Sequence, residues 1–221
     1  MARKNNPKQT IENIIFISSK LFAEKGYDKT SMQDIVAALG MSKGAITHHF
    51  NSKEDIFKAV MERQFEQITE TVKQLLDEMH GLTAKDKLRS LVRRNLTDEM
   101  IKESSNMIAS ALESPHIILA FTQGNLKKLA PIIADVMREG IEDGSITTAF
   151  PDECAEVLSL LLNFWCDMNI LQGDYSTIRK RFQFLQYLMR QVGVDILEDE
   201  IIESINIFYE KKPMRQVALQ N

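Results

Sequence analysis

An all-α fold is predicted for this chain from three observations. Apolar residues recur at steps of three and four over most of its length, no stretch sustains the alternation of a half-buried strand, and the breaks between periodic stretches carry helix caps, glycine or proline. With 221 residues, 44% hydrophobic and 26% charged, the chain is a globular one with room for a small domain and a larger one.

The most informative stretch covers residues 31–53, SMQDIVAALGMSKGAITHHFNSK. Ser31 followed by Asp34 is a capping box, and Ile35 and Leu39 set an inward stripe at i and i+4. Gly40 stops this helix, because a left-handed corner carries no steric penalty where there is no Cβ. Ser42 caps a second helix that turns Ala45 and Ile46 inward. Two short helices about a glycine corner make a helix-turn-helix.

The second helix presents Lys43, Gly44, Thr47 and His48 away from Ile46, beside free backbone amides that suit a phosphate. Gly44 costs ~1 kcal/mol against alanine in a helix interior. Close approach of another backbone would explain it, and a poor helix is the plainer explanation. After His49 and Phe50, Ser52 and Asp55 form a second capping box that opens a long helix with Lys53 in its first turn. A cation there opposes the helix dipole, so a phosphate partner is expected. The candidate contacts to a double-stranded DNA operator are Ser31, Gln33, Ser42, Lys43, Gly44, Thr47, His48, His49 and Lys53.

Charge is distributed to match. The net charge is −4, yet residues 1–53 hold eight Lys or Arg against four acids, net +4, which leaves −8 for residues 54–221. Arg3, Lys4 and Lys8 read equally well as a basic tail or as a DNA-contacting arm.

The run Gly26-Tyr27, Thr30 to Val36, Gly40 to Ile46, His49-Phe50 and Ser52-Lys53-Glu54 resembles the N-terminal domain of the TetR family of transcriptional regulators, over about residues 10–57. The resemblance implies three helices with the third in the major groove, followed by a helical effector-binding and dimerisation body, hence domains at 1–53 and 54–221. Two positions depart from the family pattern. Val36 stands where alanine is usual, and Thr47 replaces a tyrosine that holds a phosphate. Threonine reaches less far, though it can donate to a phosphate or touch a thymine methyl.

Beyond Lys53 the helical period continues. Phe57, Val60, Met61, Phe65, Ile68, Val72, Leu75 and Met79 make one amphipathic helix ending near Gly81, which runs from the reading head towards the body. Further helices are expected over 84–102, 105–113 and 117–142, the last kinked or restarted at Pro131, with a turn-rich gap over 140–148. Pro151 opens the next helix. Over 154–171 a narrow polar line (Asp152, Glu156, Ser159, Asn163, Asp167) is all that interrupts its apolar surface. Ile178, Phe182, Leu185, Met189 and Val192 define the following helix, widened by Phe184 and Leu188, and 198–209 repeats the pattern.

The resemblance implies that the last two main helices build a homodimer and that the middle ones enclose a cavity for a small-molecule effector. Met107, Phe121, Phe164, Trp165 and Met168 are apolar candidates for its lining, with plain core as the alternative, and His116 and Asn106 are polar candidates. No cofactor, metal or enzyme motif is expected: there is no G-x-S-x-G, P-loop, G-x-G-x-x-G or H-E-x-x-H. Cys154 and Cys166, ~18 Å apart along one helix, cannot pair within a subunit. No apolar run approaches the ~20 residues that span a bilayer, and a cytoplasmic location is expected.

Overall fold

In the computed structural model of the chain, the structure describes residues 7–97, 115–166 and 174–203. Their regular elements are helical, without a strand among the described residues. In chain order they are α1 (Pro7–Lys25), α2 (Met32–Leu39), α3 (Lys43–Thr47), α4 (Lys53–Glu78), α5 (Ala84–Thr97) and α6 (Pro115–Gly124). After the π-helical turn Asn125–Leu129 come α7 (Ala130–Glu142) and α8 (Pro151–Leu160). A second π-turn, Leu161–Trp165, then precedes α9 (Tyr175–Gln191).

The chain divides into two compact units, with the boundary inside α4 between Gln74 and Leu75 and again between Leu129 and Ala130. The first unit's core is Ile14 and Phe22 of α1, Tyr27, Ile35 of α2, Ile46 of α3, Ile56 and Phe57 of α4, and Ile117 of α6. α1 buries Ile14, Ser18 and Phe22, one side of a helix, and ends at Gly26, whose φ of 83° turns the chain and whose N–H donates to the Phe22 carbonyl at 3.0 Å. Further along α4, Phe65 lies against Phe121 with ring centroids 5.5 Å apart and covers Gly124, where a Cβ would overlap its ring.

The second unit is centred on Leu88, Met137, Ile146, Leu158, Ile178, Phe182, Leu185 and Met189, all buried. Residues 193–202 close it. Val194, Ile196, Leu197, Ile201 and Ile202 are buried, while Asp195 pairs with Lys85 and Arg190 and Glu198 pairs with Arg89 and Arg93.

The expected break at Pro131 takes the form of the π-turn just before it. Proline has no N–H for the Lys127 carbonyl, and its ring would strike that carbonyl in a regular helix, so the widened turn makes room. The expected helix over 154–171 also contains a π-turn, which closes with the Cys166 N–H on the Leu161 carbonyl at 2.9 Å. In each turn an asparagine side chain donates to the carbonyl four residues back, Asn125 to Phe121 at 3.0 Å and Asn163 to Ser159 at 2.8 Å. Ser159 is itself buried, so the polar line expected on this helix is not wholly solvent-facing. The expected helix at 105–113 lies outside the described residues.

Candidate nucleic-acid interface

Each local feature of the helix-turn-helix follows from a named side chain. Ser31 adopts extended backbone at φ −101° and caps α2. Its Oγ accepts the Asp34 N–H at 3.1 Å, and Asp34 Oδ2 accepts both the Ser31 N–H at 2.8 Å and the Ser31 hydroxyl at 2.6 Å. The other carboxylate oxygen of Asp34 takes Lys25 Nζ at 2.7 Å. Lys25, then Ser31, hold this carboxyl far below the usual carboxylate range. Gly40 makes the corner at φ 61°, ψ 26°, and Ser42 Oγ accepts the Ala45 N–H at 3.2 Å to start α3. Ile46 is the one buried residue of α3. At the start of α4, Ser52 Oγ accepts the Asp55 N–H at 3.1 Å.

Of the nine candidate contacts, Ser31, Gln33, Ser42, Lys43, Gly44 and His48 are exposed, and Thr47, His49 and Lys53 are half-buried. Their chemistry is more restricted than residue type suggests. The single hydroxyl proton of Ser31 is committed to Asp34, and that of Thr47 to the Gly44 carbonyl at 3.2 Å. His48 and His49 stack edge to face with ring centroids 5.0 Å apart. Lys53 turns back on its own domain, where Nζ donates to the Tyr27 carbonyl at 2.8 Å and lies 4.1 Å from the centre of the Tyr27 ring. A Cβ built on Gly44 meets nothing within 4 Å.

Two residues that brace this region, Lys25 and Tyr27, were not singled out from sequence as site residues. Lys25 precedes its partner by nine positions across a corner, a spacing with no periodic signal. Tyr27 packs against Phe22 and Phe57 at 5.5 and 4.7 Å, and burial, then the charges of Glu54 and Asp28, pushes its hydroxyl pKa up.

The effector candidates fall in different units. Phe121 is core in the first, and His116 is exposed there with its ring 6.2 Å from that of Tyr27. Phe164 and Trp165 are half-buried in the second unit's π-turn, where Trp165 meets Phe184 edge to face at 5.8 Å and its carbonyl accepts a hydrogen bond from Arg181 Nη1 at 2.9 Å. Met107, Asn106 and Met168 lie outside the described residues. No helix among the described residues is long and apolar enough to cross a membrane.

Comparison with known proteins agrees with this geometry. Residues 17–60 match the family model for bacterial regulatory proteins of the tetR family, and residues 97–186 match a tetracyclin repressor-like C-terminal domain. The transcriptional repressor KstR2 of Mycolicibacterium smegmatis is 21% identical over 64% of this chain and 69% of its own length. The transcriptional repressor AcnR of Corynebacterium efficiens is 32% identical over 37% of this chain, and the match spans 45% of AcnR, less than half its length. Among solved structures, RolR in complex with resorcinol superposes with a TM-score of 0.59 at 21% identity, covering 98% of this chain and all of that one, a likeness of fold. The chain belongs to the TetR family of DNA-binding transcriptional regulators.

Proposed function

We propose that this regulator is a cytoplasmic homodimeric repressor that binds an inverted-repeat operator and is released by a small apolar or aromatic effector, without catalysing a reaction. The carrying observation is the α2–Gly40–α3 unit, capped at both helix starts and presenting Gln33, Lys43, Gly44 and His48 to solvent. Lys43 supplies the phosphate-binding cation, and Gln33, Lys43 and His48 supply groups able to reach base edges. Support for a dimer comes from the apolar surface of the last two main helices. Phe184 and Tyr187 on α9 are 53% and 60% exposed and Val157 on α8 is 38% exposed, which is costly unless a second copy covers them. The repressor sign follows the names of KstR2 and AcnR, and the effector reading follows the resorcinol complex of RolR.

Selection of operators from random duplexes, followed by footprinting, tests this reading. An isologous dimer carries two reading heads, so half-site centres should lie one or more turns apart at ~34–36 Å per turn. A lone asymmetric half-site bound at full affinity would overturn the dimeric reading. Loss of all duplex affinity for the folded protein would favour a helical adaptor instead, and a reporter gene that falls silent on deletion of the protein would make it an activator.

A further inference from the structure

Lys53 is the first residue of α4, where the helix dipole works against a cation. Its ammonium is engaged on the corner between α1 and α2, by the hydrogen bond to the Tyr27 carbonyl and by the face of the Tyr27 ring. Tyr27 is in turn fixed by Phe57, one turn further along α4, and by Phe22 of α1. The lysine therefore joins segments 26 residues apart, and α2 and α3 are the elements enclosed between them.

α3 needs such a bracket. It has five residues and buries Ile46 alone, far short of the ~12–15 residues at which an isolated helix begins to hold its own structure. Residues 48–52 are all that separate it from α4. A shift of the first turn of α4 away from the Tyr27 corner is thus passed directly to Lys43, Gly44 and His48.

We propose that Lys53 is a positioning residue for operator recognition, setting the placement of α3 through Tyr27 instead of binding a phosphate. The proposal rests on the DNA-binding reading above and deepens it. The test compares wild type with Lys53→Met and Lys53→Arg in the full chain, on a selected operator and on a scrambled duplex, across a salt series, with Tm measured in parallel. A positioning role gives Lys53→Met a loss of about tenfold or more on the operator, the scale of one charge-assisted hydrogen bond. Binding to the scrambled duplex and the slope of log affinity against log salt stay as in wild type. Arginine, which can hydrogen-bond the same carbonyl and stack on the same ring, restores most of the operator preference.

Equal losses on both duplexes with a salt slope shallower by about one unit would make Lys53 a phosphate contact and overturn the proposal. A fall in Tm with unchanged affinities would reduce Lys53 to a stabilising residue and overturn it as well. Failure of the wild type to select any operator would strike the DNA-binding reading itself, an outcome separate from either of these.

Discussion

Replacing Gly44 by alanine should move stability and operator affinity in opposite directions. Gly44 sits in the first turn of α3, outside the positive-φ region, and a Cβ added there meets nothing within 4 Å. Within the protein the substitution therefore has no clash to offset the gain in helix propensity, ~0.5–1 kcal/mol. For a chain of this size that is a rise in Tm of ~1–4 °C. Against a duplex the same methyl occupies the space that glycine leaves open. Forcing a methyl into a close-packed interface costs about 1–3 kcal/mol, hence a loss of roughly fivefold to 150-fold in operator affinity. Differential scanning calorimetry and fluorescence anisotropy on a selected operator at fixed salt measure the two effects on one preparation. A variant that is more stable and binds as wild type would refute the reasoning, and Gly44 would be a weak point in a short helix without a role in approach to DNA.

Three further outcomes are expected. Asp34, held far below the usual carboxylate range by Lys25 and Ser31, contributes stability above the unfolded carboxyl pKa of about 3.9 that is lost as pH falls towards its lower folded value. Asp34→Asn should accordingly be less stable at neutral pH and show a shallower acid dependence below ~4 in urea midpoints, and an unchanged acid limb would remove Asp34 as its source. Gly124→Ala should destabilise by about 1–3 kcal/mol, because the new Cβ overlaps the buried Phe65 ring; an unaltered Tm would mean that Phe65 turns aside freely. Trp165, the sole tryptophan, should change its emission when an apolar effector binds, and operator and effector should weaken each other by one common factor. An emission change with unaltered operator affinity would separate Trp165 from any switch.

Those parts of the fold that depend on short-range rules were legible before any coordinates. Ser31 with Asp34, Gly40 and Ser42 each act within four residues, and each takes the conformation its chemistry dictates. The buried stripe Ile178-Phe182-Leu185-Met189 likewise follows from helical spacing. Contacts across corners were not legible: nothing in periodicity pairs Lys25 with Asp34 or turns Lys53 onto Tyr27. Residue type alone also gives no sign that the single hydroxyl protons of Ser31 and Thr47 go to the Asp34 carboxylate and the Gly44 carbonyl. The π-turns were legible only in part: Pro131 marks the break at the first, whereas no proline or glycine marks the second at Leu161–Trp165.

The π-turn at Leu161–Trp165 has a bearing on how this chain should be compared with its relatives. A ring closed from Cys166 to Leu161 contains one residue more than an ordinary helical turn, so the helix carries a single surplus residue that is absorbed locally. Elsewhere an added residue would rotate everything beyond it by about 100° and carry the buried side chains to the wrong face. Here Leu158 before the turn and Cys166 after it both remain buried. A family member with a regular helix at this point would align with a one-residue gap between Leu161 and Trp165, with Leu158 and Cys166 matched to buried positions. A gap placed there would mark a local bulge in the backbone, where length can drift in evolution without disturbing the core.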